Sequence, residues 1–269
     1  MHSQPPLGHY IDLTARDQST VRSYVVQPVE APRAAVIVLQ HMDQRLPGWQ
    51  GGASRSPMPQ SRPGVNPHVR QMAETFAAEG FLAIAPSTFS RGHSGSDYGY
   101  RFEQSRWGQR LIRPLEPLES ATVMLDIEAA LAHARRLAPY ARIGVVGYCW
   151  GGLLAWRAAC EFGAVAAAVS HYGGGMETPE ERERKPRCPT LVHFPTDARW
   201  MSPEGIAAFR ETQARPPAEG VPAPEVLNQR GRYGFMQPQH EAYDATLARE
   251  VQSRTLQFLA RHLDTPQDA

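Results

Sequence analysis

The sequence predicts an α/β protein built on a doubly wound, mostly parallel sheet with helices on both faces. Short apolar runs alternate with segments of helical spacing from one end of the chain to the other, which is the pattern of consecutive β-α units. The run at residues 34–39 is continuously apolar, as is typical of a strand that helices cover on both sides. Neither an internal repeat nor a shift in composition divides residues 1–269, so we expect a single domain.

The strands are predicted from apolar and β-branched runs that end at glycine, proline or polar residues. They are residues 20–27, 34–39, 81–85, 143–146, 164–169, 190–194 and 225–228. The helices are predicted from apolar residues that recur three and four positions apart. They are residues 66–80, 118–138, 153–159, 203–213 and 241–262.

Three polar segments are predicted to be loops. Residues 43–66 are rich in Gly, Pro, Ser, Gln and Arg, and they follow a strand at the sheet edge where α/β proteins bind ligands. We therefore expect an inserted loop there, either a lid or rim of the site or a disordered segment. Residues 87–107 form a second loop from the same edge, and the charge run at residues 177–187 is predicted to be a solvated linker.

Composition narrows the class of partner and compartment. Lys and Arg number 28 against 27 Asp and Glu, a balance that argues against nucleic acid as a partner. The three cysteines have no pairing spacing, which fits a reducing compartment. No apolar run reaches the length of a membrane span, and the first residues lack the pattern of a signal peptide. We expect a cytoplasmic monomer or homodimer that acts on a small molecule, away from membranes.

The segment Gly147-Tyr148-Cys149-Trp150-Gly151 is the strongest functional signal in the sequence. The pattern Gly-x-Cys-x-Gly between a strand and a helix is that of a nucleophile elbow with sulfur in place of oxygen. A helix N-terminus aimed at the thiol favours the thiolate form, which is the nucleophilic one. Cys149 is therefore the predicted nucleophile, although a buried cysteine in a glycine-rich turn would have the same pattern.

A cysteine nucleophile also needs a base, a group that orients the base, and donors to the oxyanion. Asp197 follows the strand at residues 190–194 and comes after Cys149 in the chain order of α/β-hydrolases. We predict that Asp197 is the acid of the site, with a helix cap near Ser202 as the alternative. The predicted oxyanion donors are the backbone N–H groups of Trp150 and Met42.

The chain resembles the dienelactone hydrolase (carboxymethylenebutenolidase) family of the α/β-hydrolase fold along nearly its whole length. The resemblance is carried by residues 36–39, 66–70, 79–86, 147–152 and 254–259, of which the elbow hexapeptide is the most specific. It implies one α/β-hydrolase domain that cleaves an ester or enol-lactone through a cysteinyl acyl-enzyme, without a metal or cofactor.

The chain departs from the family pattern at the residues that serve the thiol. The family's catalytic histidine opens a His-Gly-Phe motif, which here is Tyr233-Gly234-Phe235. The family's glutamate after the strand at residues 34–39 corresponds to His41, and one of its two carboxylate-binding arginines is replaced near Gln237. The other arginine corresponds to Arg91, so the substrate is expected to be anionic if Arg91 binds it.

Three interpretations follow for the missing histidine. In the first, His41 is the base for Cys149, because an imidazole accepts a proton near neutral pH far better than the phenol of Tyr233, which stands beside Asp197. In the second, His171 or His240 is the base. In the third, the scaffold has lost ester hydrolysis and binds a ligand or catalyses an isomerase-like or cyclase-like reaction.

The remaining predicted site residues are contacts to the substrate. Arg91 is expected to bind an anionic group through its guanidinium, and His171 lies at the correct edge of the sheet. Trp150, Tyr172 and Phe235 are expected to line an aromatic pocket, although core packing would explain all three equally well. The leading hypothesis is thus a hydrolase of a small ester or lactone that uses Cys149, His41, Asp197 and Tyr233.

Overall fold

The structure is a computed structural model, and it describes residues 6–41, 65, 67–88, 117–197, 201–238 and 240–264. Its strands are β1 (His9–Thr14), β2 (Thr20–Val26), β3 (Ala34–Leu39), β4 (Phe81–Pro86), β5 (Ile143–Tyr148), β6 (Val165–His171), β7 (Thr190–Asp197) and β8 (Glu225–Arg232). Its helices are α1 (Pro67–Ala78), α2 (Pro117–Leu137), α3 (Trp150–Glu161), α4 (Pro179–Arg182), α5 (Pro203–Thr212) and α6 (Ala245–Leu263).

One sheet of eight strands contains all of these strands, in the order β1-β2-β4-β3-β5-β6-β7-β8. Strands β3 to β8 pair in parallel, whereas β2 pairs antiparallel with both β1 and β4. The strands β3, β4 and β5 are buried at every residue, which fits their continuously apolar sequences. The predicted fold class, a doubly wound and mostly parallel sheet, is confirmed.

The two faces of the sheet are covered by different helices. On one face, the Tyr148 ring contacts His68 of α1, and the His171 ring lies against Thr255 of α6. Ser170 precedes His171 and points to the opposite face, where a Cβ on Gly152 of α3 would come within 2.9 Å of the Ser170 Oγ. Helix α2 packs beside α3. The elbow helix α3 and the C-terminal helix α6 therefore lie on opposite faces.

Strands β1 and β8 differ from the prediction, and helix α6 begins four residues later than predicted. Strand β1 was not predicted, because its residues are mostly exposed and half-exposed and it pairs only at the edge of the sheet. Strand β8 extends to Arg232, four residues beyond the predicted strand. The predicted insertion at residues 43–66 lies outside the described residues apart from Val65.

The prediction of a solvated linker at residues 177–187 is wrong. Helix α4 lies in this segment, and Glu181 is 2% exposed. Its carboxylate accepts a hydrogen bond from Arg157 of α3, with Nε to Oε1 at 2.9 Å, and it forms an ion pair with Arg184, with Nε to Oε2 at 2.9 Å. A buried carboxylate needs such paired donors, because the loss of hydration costs several kcal/mol per ion, on the order estimated for buried pairs.

In the part of the chain that the structure describes, no helix is both long and apolar enough to cross a membrane.

Candidate active site

Cys149 occupies a tight corner between β5 and α3. Its backbone has φ 58° and ψ −120°, a conformation that L residues rarely adopt. The glycines on either side permit the corner: a Cβ on Gly147 would lie 1.8 Å from the Gly151 carbonyl oxygen, and one on Gly151 would lie 2.3 Å from the Leu39 carbonyl oxygen. The Cys149 N–H donates to the His171 carbonyl at 2.9 Å, which ties the corner to β6. This is the geometry of a nucleophile elbow.

Helix α3 begins directly after the thiol. The Cys149 carbonyl accepts the N–H groups of Gly152 and Leu153, at 2.9 and 3.2 Å. Trp150 is the first residue of the helix, and at this position no earlier carbonyl within the helix can accept its N–H. The partial positive charge of the helix N-terminus therefore lies beside the sulfur. Met42, the second predicted oxyanion donor, lies outside the described residues.

The side chain that hydrogen-bonds the thiol is Tyr233. Its hydroxyl donates to the Cys149 Sγ at an Oη to Sγ distance of 2.6 Å. Tyr233 follows β8 in a turn that Gly234 closes at φ 87°. The residue is partly exposed as a whole, but its hydroxyl end is enclosed, and burial together with the neighbouring Cys149 raises the pKa of Tyr233 well above its ordinary value. At neutral pH Tyr233 is therefore a neutral phenol that donates a hydrogen bond to the sulfur.

A hydrogen bond between main-chain groups holds Asp197 beside Tyr233. The Tyr233 N–H donates to the Asp197 carbonyl oxygen at 3.0 Å, while the Asp197 side chain is exposed. A carboxylate orients a histidine through the N–H of the imidazole, and a phenol that directs its single O–H at sulfur has no second proton to offer. The structure thus preserves the position of Asp197 at the end of β7 without giving its carboxylate a partner on the Tyr233 ring.

His41 follows β3, as predicted, and its ring packs against His68 with centroids 5.5 Å apart. Burial, followed by the neighbouring His68 and His240, lowers the pKa of His41 to about 3. An imidazole with so low a pKa is a much weaker base at neutral pH than the predicted role requires. The role of His41 as the base for Cys149 stays a prediction.

The structure does not bring the His171 ring against the thiol. The ring is fully buried and stacks between Tyr148, with centroids 4.8 Å apart, and His193, at 5.0 Å. Burial lowers the pKa of His171 well below its ordinary value. The His171 carbonyl accepts the Cys149 N–H, whereas the His171 side chain lies on the face of the sheet that α6 covers.

His240 has a local structural role. Its Nδ1 accepts the N–H of Ala242 at 3.0 Å, and a Cβ on Gly234 would come within 2.9 Å of its ring. The ring therefore packs on the turn that carries Tyr233 and needs a glycine there. Burial lowers the pKa of His240, which makes it a weaker base than an exposed histidine.

Tyr233 belongs to a cluster of three aromatic rings. The Tyr172 ring lies 5.2 Å from the Tyr233 ring and 5.4 Å from the Phe235 ring, measured between centroids. Tyr172 is fully buried and has a positive φ of 42°, and its N–H donates to the His193 carbonyl at 2.8 Å. Tyr172 thus lies beside Tyr233, and Phe235 packs on Tyr172. Arg91 lies outside the described residues.

Three residues near the site were not predicted. Glu177 accepts the Gly175 N–H on its Oε2 at 2.9 Å, burial raises its pKa, and its negative charge contributes to the raised pKa of Tyr233. Gln237 lies in the turn after Tyr233 with its amide beside the Tyr172 hydroxyl, and His68 lies near the Met236 carbonyl. In the sequence, Glu177 belongs to a charge run, Gln237 lies at a departure from the family pattern, and His68 is a polar residue in an amphipathic helix. None of these features indicates a position beside the thiol.

Among the described residues, no group of three or more His, Cys, Asp or Glu side chains is arranged to hold a metal ion. The described groups at the thiol include the Tyr233 phenol and the N-terminus of α3. Together they can support a sulfur nucleophile, an oxyanion and the transfer of one phenolic proton.

The chain is similar to known proteins of one family along most of its length. The model of the dienelactone hydrolase family matches residues 59–263. A carboxymethylenebutenolidase from Pseudomonas putida is 24% identical over 259 residues, which are 93% of this chain and 95% of that protein. A relative from Synechocystis sp. is 35% identical over 116 residues, 42% of this chain and 45% of its own length.

Solved structures show the same fold. A dienelactone-hydrolase-like promiscuous phosphotriesterase from metagenomic libraries superposes with a TM-score of 0.68 at 18% identity, covering 97% of this chain and all of that one. An esterase from Pyrococcus furiosus has a TM-score of 0.62 at 16% identity, covering 97% and 96%. The family match spans most of the chain and includes the elbow and the tyrosine that contacts it. The chain belongs to the dienelactone hydrolase family, on the α/β-hydrolase fold.

Proposed function

We propose that the protein hydrolyses a small ester or lactone through Cys149, with the Tyr233 phenol in the place of the family's histidine. The observation that carries the proposal is the hydrogen bond of 2.6 Å from the Tyr233 hydroxyl to the Cys149 sulfur. A sulfur that accepts this proton presents its lone pair, and the donor stabilises the thiolate. The strained elbow and the N-terminus of α3 support the same assignment.

Acylation follows from this arrangement. The Cys149 thiolate attacks the carbonyl carbon, and the electron pair of the C=O bond moves to the oxygen, towards the Trp150 N–H. When the tetrahedral intermediate collapses, the C–O bond breaks and the leaving oxygen takes the proton from the Tyr233 hydroxyl. The products of this half-reaction are an acyl-thioester on Cys149, a free alcohol and a tyrosinate.

Deacylation reverses the proton transfer. The tyrosinate is a strong base, because burial raises the pKa of Tyr233 well above its ordinary value. It takes a proton from water as the hydroxide attacks the thioester, and the C–S bond breaks to restore the thiolate. The acid leaves, and Tyr233 is again protonated. In this scheme Cys149 is a thiolate before the substrate binds, and the phenol performs both proton transfers.

The test compares esters with good and poor leaving groups. Tyr233→Phe is expected to lower kcat/KM for ethyl acetate by about 100-fold or more, and for p-nitrophenyl acetate by less than about 10-fold, because p-nitrophenolate leaves without a proton donor. Tyr243→Phe, at an exposed tyrosine, is the matched control. An equal loss with both esters would show that Tyr233 does not protonate the leaving oxygen.

Two further variants separate the nucleophile from the predicted base. Cys149→Ala is expected to abolish turnover and acyl-enzyme formation, and Cys160→Ala is its control; activity retained without Cys149 would contradict the whole proposal. His41→Ala is expected to lower kcat by about 100-fold if His41 is the proton acceptor. If Tyr233 transfers the protons, the loss is confined to KM.

A further inference from the structure

We propose that five buried, uncharged side chains beside the elbow form a subsite for a neutral hydrogen-bonding group of the substrate, of which a hydroxyl is the simplest, and not for a carboxylate. The five residues, which we call the neutral subsite, are His41, His68, Tyr148, Tyr172 and Gln237. This inference rests on the proposed function and names the substrate class that the same site would take.

The five side chains are contiguous. The rings of His41 and His68 lie 5.5 Å apart and those of His68 and Tyr148 lie 5.1 Å apart, measured between centroids. The Tyr148 hydroxyl is close enough to the Tyr172 hydroxyl to act on it electrostatically, and the Gln237 amide lies beside the same hydroxyl. The cluster reaches the reacting groups through Tyr172, whose ring contacts that of Tyr233.

Six buried side-chain atoms of the neutral subsite have no hydrogen bond of good geometry to a described residue. They are His41 Nδ1, His68 Nδ1 and Nε2, Tyr148 Oη, Tyr172 Oη and Gln237 Nε2. Two looser contacts remain, between the Gln237 amide and the Tyr172 hydroxyl and between His68 and the Met236 carbonyl. All five residues are at least nine-tenths buried. Native proteins pair roughly nine-tenths of their buried polar groups, so six unpaired atoms in one cluster are far from the norm. They indicate a position where a ligand supplies the missing donors and acceptors.

The subsite favours a neutral ligand because its own side chains are uncharged at neutral pH. Burial lowers the pKa of His41 to about 3 and that of His68 to about 4, so both imidazoles are neutral. Burial raises the pKa values of Tyr148 and Tyr172, so both phenols are neutral as well. A carboxylate moved into such a cluster would lose its hydration without gaining an opposite charge.

A hydroxyl matches the mixture of donors and acceptors. The amide nitrogen of Gln237 donates, each neutral imidazole offers one N–H and one lone pair, and each phenol can do either. A group that both donates and accepts can therefore be satisfied in several ways, whereas a methyl group would leave the six atoms unpaired. Sites built to bind a hydroxyl reject analogues that lack it much more strongly than apolar pockets reject an extra hydroxyl.

The test uses three substituents X in matched esters: methyl, hydroxyl and carboxylate. The phenyl esters X–CH2–CO–O–phenyl place X on the acyl side, and the acetates X–CH2–CH2–O–CO–CH3 place it on the alcohol side. After division by each uncatalysed rate, kcat/KM is expected to be about 10-fold or more higher for hydroxyl than for methyl in one series, and lowest for carboxylate. Equal values in both series, or the highest value for carboxylate, would overturn the subsite.

Two variants show whether the preference comes from the subsite. Gln237→Leu is expected to reduce the hydroxyl-to-methyl ratio to about 3 or less, because it removes one unpaired donor. Gln229→Leu makes the same change at a buried amide that bonds His193 instead, and it should leave the ratio unchanged. A ratio that responds equally to both variants would contradict the assignment, and circular dichroism checks that each variant is folded.

A measurement without turnover keeps the inference separate from the proposed function. Glycolamide, propanamide and malonamate carry the same three substituents, and each is tested for protection of Cys149 against iodoacetamide. Glycolamide is expected to protect at an about 10-fold lower concentration than propanamide. If it does so while no ester is cleaved, the hydrolase proposal fails and the subsite stands. If all three amides protect equally, the subsite fails whatever the esters show.

Discussion

Two pairs of reactive side chains lie at the same edge of the sheet, and they differ in how the protein holds them. Cys149 and Tyr233 meet through a hydrogen bond of 2.6 Å at the elbow. His171 and His193 stack in parallel on neighbouring strands, with centroids 5.0 Å apart and ring planes 6° from parallel. The residue type that usually transfers protons is thus in the packed pair, and the phenol is at the thiol.

Each imidazole of the packed pair carries its proton on one defined ring nitrogen. The Thr255 hydroxyl donates to the Val251 carbonyl at 2.9 Å, so it accepts the proton of His171 Nε2 at 3.3 Å. The Gln229 amide donates to His193 Nδ1 at 2.8 Å, which leaves the His193 proton on Nε2. Both rings are held neutral, in one tautomer each. This suits close packing and opposes proton exchange.

The backbone conformation also differs between the two pairs. The described chain has three non-glycine residues with positive φ, and two of them, Cys149 and Tyr172, lie at the thiol. His171 and His193 lie at regular positions of β6 and β7, paired in register. Backbone strain of about 1–3 kcal/mol per residue persists only where the surrounding structure enforces it. Backbone strain, rather than the presence of histidine, therefore distinguishes the thiol pair from the packed pair.

Acid should destabilise the packed pair and its neighbours before it affects the thiol. His41, His68, His171 and His193 are buried, and burial lowers their pKa values, to about 3 or 4 for three of them. They stay neutral when folded, but below pH 6.5 they bind protons in the unfolded chain. Stability is therefore complete above pH 6.5 and falls as the pH drops towards the folded pKa values. Each histidine removes about 1 kcal/mol between pH 6.5 and 5.5, or about 4 kcal/mol together.

Urea denaturation at pH 6.5 and 5.5 measures this loss. His193→Phe keeps an aromatic ring and removes one titrating group, so the loss between the two pH values should shrink by about 1 kcal/mol. His9→Phe changes an exposed histidine on β1 and is the control. If both variants keep the full pH dependence, the packed imidazoles are not the source of the acid sensitivity.

Gln229→Leu should affect the packed pair alone. The substitution leaves His193 Nδ1 without its donor, and an unsatisfied buried acceptor costs about 1–3 kcal/mol of unfolding free energy. Hydrolysis of p-nitrophenyl acetate at pH 7.5 should stay within about twofold, since Gln229 does not contact the thiol pair. A variant that keeps its stability but loses activity would reverse the roles of the two pairs.

The sequence was sufficient for the elements whose signal is local. The apolar run of β3 and the glycines around Cys149 each indicate a conformation without reference to the rest of the chain. Side chains whose role depends on which face of a strand they occupy were not predictable. His171 was expected at the site because β6 ends there, but alternation places Ser170 towards α3 and His171 towards α6. Sequence periodicity gives the alternation and not its phase.

Cys149 lies between β5 and α3, and Tyr233 follows β8, so their hydrogen bond forms only when these three elements meet in the folded chain. Neither residue has a local pattern that indicates the other, since 84 positions separate them. The unpaired atoms of the neutral subsite are equally non-local, because they come from α1, β5 and the segments that follow β3, β6 and β8. The burial of Glu181 was not predicted for the same reason, because its partner Arg157 lies on α3, 24 positions earlier in the chain.

Asp197→Asn should have the smallest effect. The Asp197 carboxylate is exposed, and the Tyr233 phenol uses its single proton on the sulfur, so the substitution is expected to lower kcat for p-nitrophenyl acetate by only two- to threefold, roughly the scale of a weak surface interaction. In a Tyr233→His background the new imidazole would need a carboxylate to fix its tautomer, and the same Asp197→Asn change should then cost about 100-fold or more. The ratio of the two losses, measured as a double-mutant cycle, reports whether Asp197 can orient an imidazole in this fold. Equal losses in both backgrounds would mean that the carboxylate serves the phenol as well, and that the thiol pair is less independent of Asp197 than its exposed side chain indicates.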